Sequence, residues 1–172
     1  MTQQGAGPGY EAIKNLAKRA RQAYVSGDYR EARQLSMQLL AENTDTRSWN
    51  YGNVIYAGNE IAGLAALRLG DVATARECLL AAGGTPGSPQ LNSFGPTFCL
   101  ADALLDRGEC DVVLEFLDLV GRFWGNLNSP HATDPRFSAM VEQEATTLES
   151  WKAQIRAGEN PEFDRLDFLW PL

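Results

Sequence analysis

The sequence predicts an all-α fold: about three helical hairpins stacked side by side, followed by a C-terminal helix and a docked tail. Three observations predict it. A turn of glycine followed by an acid occurs three times, and apolar residues follow each copy at helical spacing. The chain, 172 residues with 44% hydrophobic residues, suits one globular domain or one short helical array.

The three copies align residue by residue. The first is Ala23-Tyr24-Val25-Ser26-Gly27-Asp28-Tyr29-Arg30-Glu31-Ala32-Arg33, and the second is Ala66-Leu67-Arg68-Leu69-Gly70-Asp71-Val72-Ala73-Thr74-Ala75-Arg76. The third, Leu104-Leu105-Asp106-Arg107-Gly108-Glu109-Cys110-Asp111-Val112-Val113, is the weakest. Glycine ends a helix because it tolerates the left-handed conformation there. The acid then caps the next helix and suits its N-terminal dipole. A small residue four positions on (Ala32, Ala75 or Val113) lets two antiparallel helices approach closely. Leu35, Leu39 and Leu40, then Leu79 and Leu80, then Leu114, Leu117 and Val120 supply the apolar faces.

The turn resembles that of the tetratricopeptide repeat, which reads G-D/N-Y-x-x-A. Gly27-Asp28-Tyr29-Arg30-Glu31-Ala32 matches it at every position, and Gly70-Asp71-Val72-Ala73-Thr74-Ala75 departs only at the aromatic one. The resemblance covers about residues 10–124 and implies a right-handed α-α superhelix whose first helices line a concave groove for a protein or peptide. The glycines lie 43 and 38 residues apart, against about 34 in the family. The excess falls in a long third helix and in residues 83–95. The stretches Tyr51–Glu60 and Thr85–Pro96 resemble segments of a group of bacterial tetratricopeptide-repeat proteins, which implies a bacterial origin and no particular reaction.

Helices are expected over about 9–26, 28–43, 47–69, 71–82, 96–107, 109–123 and 136–157. Residues 1–9 read as a disordered lead-in, 10–157 as the helical domain, and 158–172 as a tail packing on the end of the stack. Phe163, Leu166, Phe168, Leu169 and Trp170 give that tail its reason to dock.

Net charge is −7 and the isoelectric point near 4.7, which disfavours nucleic acid and anionic membrane as partners. Lys14, Lys18, Arg19 and Arg21 form one basic cluster, expected to be a solvated helix face. No run is long enough to span a bilayer, and the start lacks the pattern of an export signal, so a cytoplasmic location is expected. Cys78, Cys99 and Cys110 are odd in number, form no C-x-x-C pair and sit among apolar neighbours, so they are expected to be buried free thiols.

No catalytic or metal constellation stands out, and neither an enzymatic role nor a cofactor is expected. His131, the one histidine, lies in a loop without a positioned partner. Gly83-Gly84-Thr85-Pro86-Gly87-Ser88 lacks the lysine and preceding strand of a phosphate-binding loop. Trp49, Tyr24, Phe116, Phe123 and Trp124 lie in apolar helical settings and are expected in the core.

The third helix is unusual because Asn50, Gly52, Asn53, Gly58 and Asn59 are poor helix formers. Asn53, Tyr56 and Glu60 share one face, and Asn59 lies beside it. One expectation is a polar groove face gripping a peptide, with Gln90, Asn92 and Ser93 of the long loop contributing hydrogen bonds. The other is that these groups bond to neighbouring helices and to the 83–95 loop, the glycines permitting close packing. The carboxylate clamp of chaperone-binding relatives is not carried over, since no basic residue lies between Tyr51 and Leu67. Two functions follow: an adaptor binding a protein or peptide in the groove, with an immunity or regulatory role included, or a small-molecule or enzyme-associated regulatory protein with a pocket between the third helix and the loop.

Overall fold

The computed structural model describes residues 8–163, and every regular element among them is helical. In order these are α1 (Pro8–Val25), α2 (Tyr29–Glu42), α3 (Tyr51–Arg68), α4 (Val72–Gly83), α5 (Pro89–Phe94), α6 (Cys99–Leu105), α7 (Cys110–Val120), α8 (Pro130–Thr133) and α9 (Ser138–Arg156). Helices α1/α2, α3/α4 and α6/α7 are the three hairpins. The first helices of successive hairpins touch in turn, α1 on α3 and α3 on α6, while α4 packs on α7 and α7 on α9.

The hairpin turns share one geometry. Gly27, Gly70 and Gly108 have φ of +84, +82 and +80°, a region that costs other residues strain. The acid's amide donates to the carbonyl five residues back, Asp28 to Ala23 and Asp71 to Ala66 at 2.9 Å and Glu109 to Leu104 at 3.1 Å. The glycine amide donates to the carbonyl three back, which completes a Schellman close. Asp28 then caps α2 by accepting from the Glu31 amide at 3.0 Å, and Asp71 caps α4 by accepting from Thr74 at 3.1 Å. Glu109 makes no capping bond and instead pairs with Arg76 at 3.5 Å. Ala32, Ala75 and Val113 are fully buried, as the turn pattern requires. A fourth copy ends α9, where Gly158 has φ +81° and the Glu159 amide reaches Gln154 at 2.9 Å.

Helix α3 is the hub. It packs against α1, α2, α4, α5 and α6, and its residues 60–67 are buried without a break. A helix apolar on all sides needs cover on all sides, and Gly58 and Gly63 let Leu40 and Leu100 press close to its backbone.

Two clusters make the core. One joins α1, α2 and α3 around Leu16, Ala20, Leu35, Leu39, Val54 and Ile61. The larger runs from α3 to α9 and gathers Phe98, Phe116, Trp124, Trp151 and Phe163. Phe163, beyond α9, stacks on Phe98 at 5.0 Å and meets Trp151 edge-on at 5.1 Å. Leu166, Phe168, Leu169 and Trp170 lie outside the described residues, as do residues 1–7.

Some expectations are corrected. The helix expected over 96–107 begins only at Cys99, and α5 stands in the segment read as loop. Ser88 explains α5, since its hydroxyl accepts from the Leu91 amide at 3.0 Å and Pro89 occupies the first turn. Pro8 and Gly9 already belong to α1. Trp49 is 53% exposed beside Tyr10 rather than in the core, Tyr24 is half-buried, and Phe116, Phe123 and Trp124 are buried as expected. The three cysteines form no disulfide and are only half-buried.

Candidate functional site

The two ends of α3 present opposite situations. At its N-terminal half, residues 84–98 form a strap laid directly on the helix. Thr85 donates its hydroxyl to the Gly52 carbonyl at 2.9 Å. The Gly87 carbonyl sits so close that a Cβ on Gly52 would fall 1.9 Å from it. The Asn53 amide donates to Asn50 at 2.7 Å and to Gln90 at 3.1 Å, and its oxygen accepts the Ser88 hydroxyl. Asn92 braces the strap from within by accepting from the Ser88 amide at 3.2 Å. Tyr56 donates its hydroxyl to the Thr97 carbonyl, and the Thr97 hydroxyl donates to Glu60.

Of the seven residues singled out from sequence, Asn53, Tyr56, Glu60, Gln90 and Asn92 thus meet along one seam. Their polar groups hold the strap down. Asn59 donates to the Ile55 carbonyl of its own helix at 2.8 Å, and Ser93 is exposed. These are the internal hydrogen bonds that one of the two readings of the sequence expects, made to residues 88–97.

Glu60 is its most perturbed group. It is 6% exposed, and its Oε1 has no hydrogen-bond partner among the described residues. Burial pushes its carboxyl up to about 7, against the opposing pull of the Thr97 hydroxyl and the first amides of α6 at Leu100 and Cys99. Burial, and then the Glu60 charge, raise the Tyr56 phenol as well.

At the C-terminal end of α3 there is no strap, and a half-open cleft of about 360 Å³ appears. Its walls are the last turns of the three first helices: Tyr24 from α1, Leu64, Leu67 and Arg68 from α3, and Ala103 of α6 with Asp106 and Arg107 just beyond it. Leu64 and Leu67 lie at its base and are almost fully buried, so the lining combines a little apolar surface with polar groups. The Arg68 guanidinium is held by Tyr24 and lies 5.9 Å from the Tyr29 ring centre, while Arg107 reaches the Leu67 carbonyl at 3.4 Å. Neither arginine has an ion-pair partner among the described residues, whereas nearby Arg33 and Arg76 are paired with Asp71 and Glu109. Asp106 adds one exposed carboxylate at the rim.

These cleft residues were not singled out from sequence. The repeat register holds the signal, because Tyr24, Leu67, Arg68, Asp106 and Arg107 all lie within three residues of a turn glycine. His131 is exposed against the edge of Phe137, and no group of metal-ligating side chains is present among the described residues. No helix among the described residues is long and apolar enough to cross a membrane. Compared with protein families, curated proteins and solved structures, the chain matches none.

Proposed function

We propose that this chain is a non-catalytic interaction module of the tetratricopeptide kind, acting in the cytoplasm, which binds a segment of a protein partner where its first helices converge. The cleft between α1, α3 and α6 carries this reading. It joins a little apolar surface to two guanidiniums that no carboxylate in the described chain neutralises. A segment that places an acidic side chain next to a large apolar one suits it. Burying one Leu-sized side chain contributes roughly 1.5–3 kcal/mol, and an exposed ion pair roughly 0.2–1 kcal/mol. The apolar part of the lining contributes some of the affinity, and the arginines select the segment. The net charge of −7 opposes an acidic partner only at long range, since screening at physiological salt cuts off beyond about 8 Å. At contact the two arginines outweigh Asp106.

A random-peptide display selection on the full chain tests this. The expected outcome is enrichment of sequences pairing Asp or Glu with Leu, Ile or Phe, lost on a chain carrying both Arg68→Ala and Arg107→Ala. Enrichment indifferent to those substitutions, or none, overturns the proposal.

A further inference from the structure

The seam on α3 contains an acid that its structural task does not require. A glutamine at position 60 would accept from Thr97 equally well and would carry no ionisation penalty in a buried site. Glu60 stands where three elements meet, and each packing neighbour presents it with little charge. Its own helix supplies Tyr56, the strap supplies Thr97, and α6 supplies the Cys99 thiol and the amides of Cys99 and Leu100. From α7 comes the Phe116 ring, which packs on Tyr56, while α2 and α4 contribute Leu40 and Cys78 at Gly58 and Gly63. Among the described residues no Lys, Arg or His pairs with it.

We propose that Glu60 is a proton-operated latch: protonated, it clamps the strap and the start of α6 onto α3, and ionised, it weakens that clamp. The proton exchanges with solvent when the seam opens. Glu60 is buried with one oxygen, Oε1, unpartnered and no cation beside it among the described residues, and this burial outweighs the Thr97, Leu100 and Cys99 donors that favour the charge, which raises the carboxyl to about 7. The latch also bears on the cleft, a consequence that rests on the binding reading above. Helix α6 is only seven residues long, about 10 Å. The amides of its first turn, at Cys99 and Leu100, face Glu60, and its last turn walls the cleft through Ala103, with Asp106 and Arg107 just beyond. Freedom at one end is passed to the other.

Hydrogen exchange on the full chain without ligand tests the latch separately from the cleft, which the display selection tests. With the carboxyl at 4.5 when open and about 7 when clamped, linkage predicts about a tenfold rise in opening between about pH 6 and about pH 8, after correction for intrinsic exchange. The rise is expected at the amides of residues 98–101, and Glu60→Gln is expected to abolish it. An unchanged wild-type protein, or an equal rise in Glu60→Gln, overturns the proposal. Should that variant not fold, the Glu60 carboxyl carbon followed by NMR in the wild type decides. A midpoint near 7 supports the latch and one near 4.5 overturns it.

Discussion

The N-terminal part of α3 carries Asn53, Tyr56 and Glu60 toward its neighbours, whereas beyond Glu60 the helix is apolar and buried until Arg68, and the two parts end differently. In the first half Asn53, Tyr56 and Glu60 spend their hydrogen-bonding capacity on a strap of the same chain. At its C-terminal end Arg68, and Arg107 from beyond α6, touch a phenol, a ring and a backbone carbonyl among the described residues, beside a cleft whose base holds the almost fully buried Leu64 and Leu67. Whether asparagines on a helix face are open to solvent or bonded within the chain is decided by the segment that covers them.

That contrast can be broken or sharpened by substitution, starting with the largest effect. Gly52→Ala should cost about 4 kcal/mol in urea unfolding, because the new Cβ collides with the Gly87 backbone and the strap must lift. A loss below about 1 kcal/mol would mean that the strap shifts at little cost and the seam is loose.

Glu60 gives a pH dependence of defined sign. Its carboxyl is raised in the folded protein, from 4.5 to about 7, so the folded state binds the proton more tightly than the unfolded state does. The stabilisation is present in full below about 4.5 and is lost as pH rises through about 7. It amounts to about 3 kcal/mol across that window. Guanidinium denaturation over this range, wild type against Glu60→Gln, should show the difference, and parallel curves would remove Glu60 from the account.

Asn53→Ala should cost about 1–2 kcal/mol, since it strands the Gln90 and Ser88 side chains at a half-buried site. Equilibrium unfolding reads this, and no change would show that water replaces Asn53 there. The smallest stability effect is expected at the other end of α3. Arg68→Ala should leave the unfolding midpoint in place while weakening a display-selected peptide about tenfold in a fluorescence titration. A shifted midpoint with unchanged binding would reverse the roles assigned to the two halves.

Much of the fold is legible in the residues because its determinants are local. Glycine, the following acid and the small residue four places on are enough to place the hairpin turns, and the structure adds only that Glu109 leaves its helix uncapped. Of the large apolar residues after α9, Phe163 stacks on Phe98. The seam was half legible. Asn53, Tyr56 and Glu60 could be placed on one face and their bonding to the 83–95 segment set out as one of two readings, but nothing local shows which atoms meet. The pairing depends on Gly52 admitting the Gly87 carbonyl, a contact between distant positions. Just ahead of α6, Thr97 likewise bonds to the distant Tyr56 and Glu60. The cleft was the least legible part. Its residues come from three helix ends, each of which alone reads as an ordinary terminus.

The two core clusters have a consequence for the order in which the molecule can assemble. The first is complete within α1, α2 and α3, so its contacts are close in sequence, and such contacts form early. The second needs Phe98 to find Trp151 and Phe163, and closing so long a loop is slow even though its entropy grows only with the logarithm of length. Tyr24 packs against both clusters. The chain should therefore settle from its N-terminal side, with α3 waiting half-covered, its strap and seam unformed, until the residues beyond α9 arrive to seal the other half.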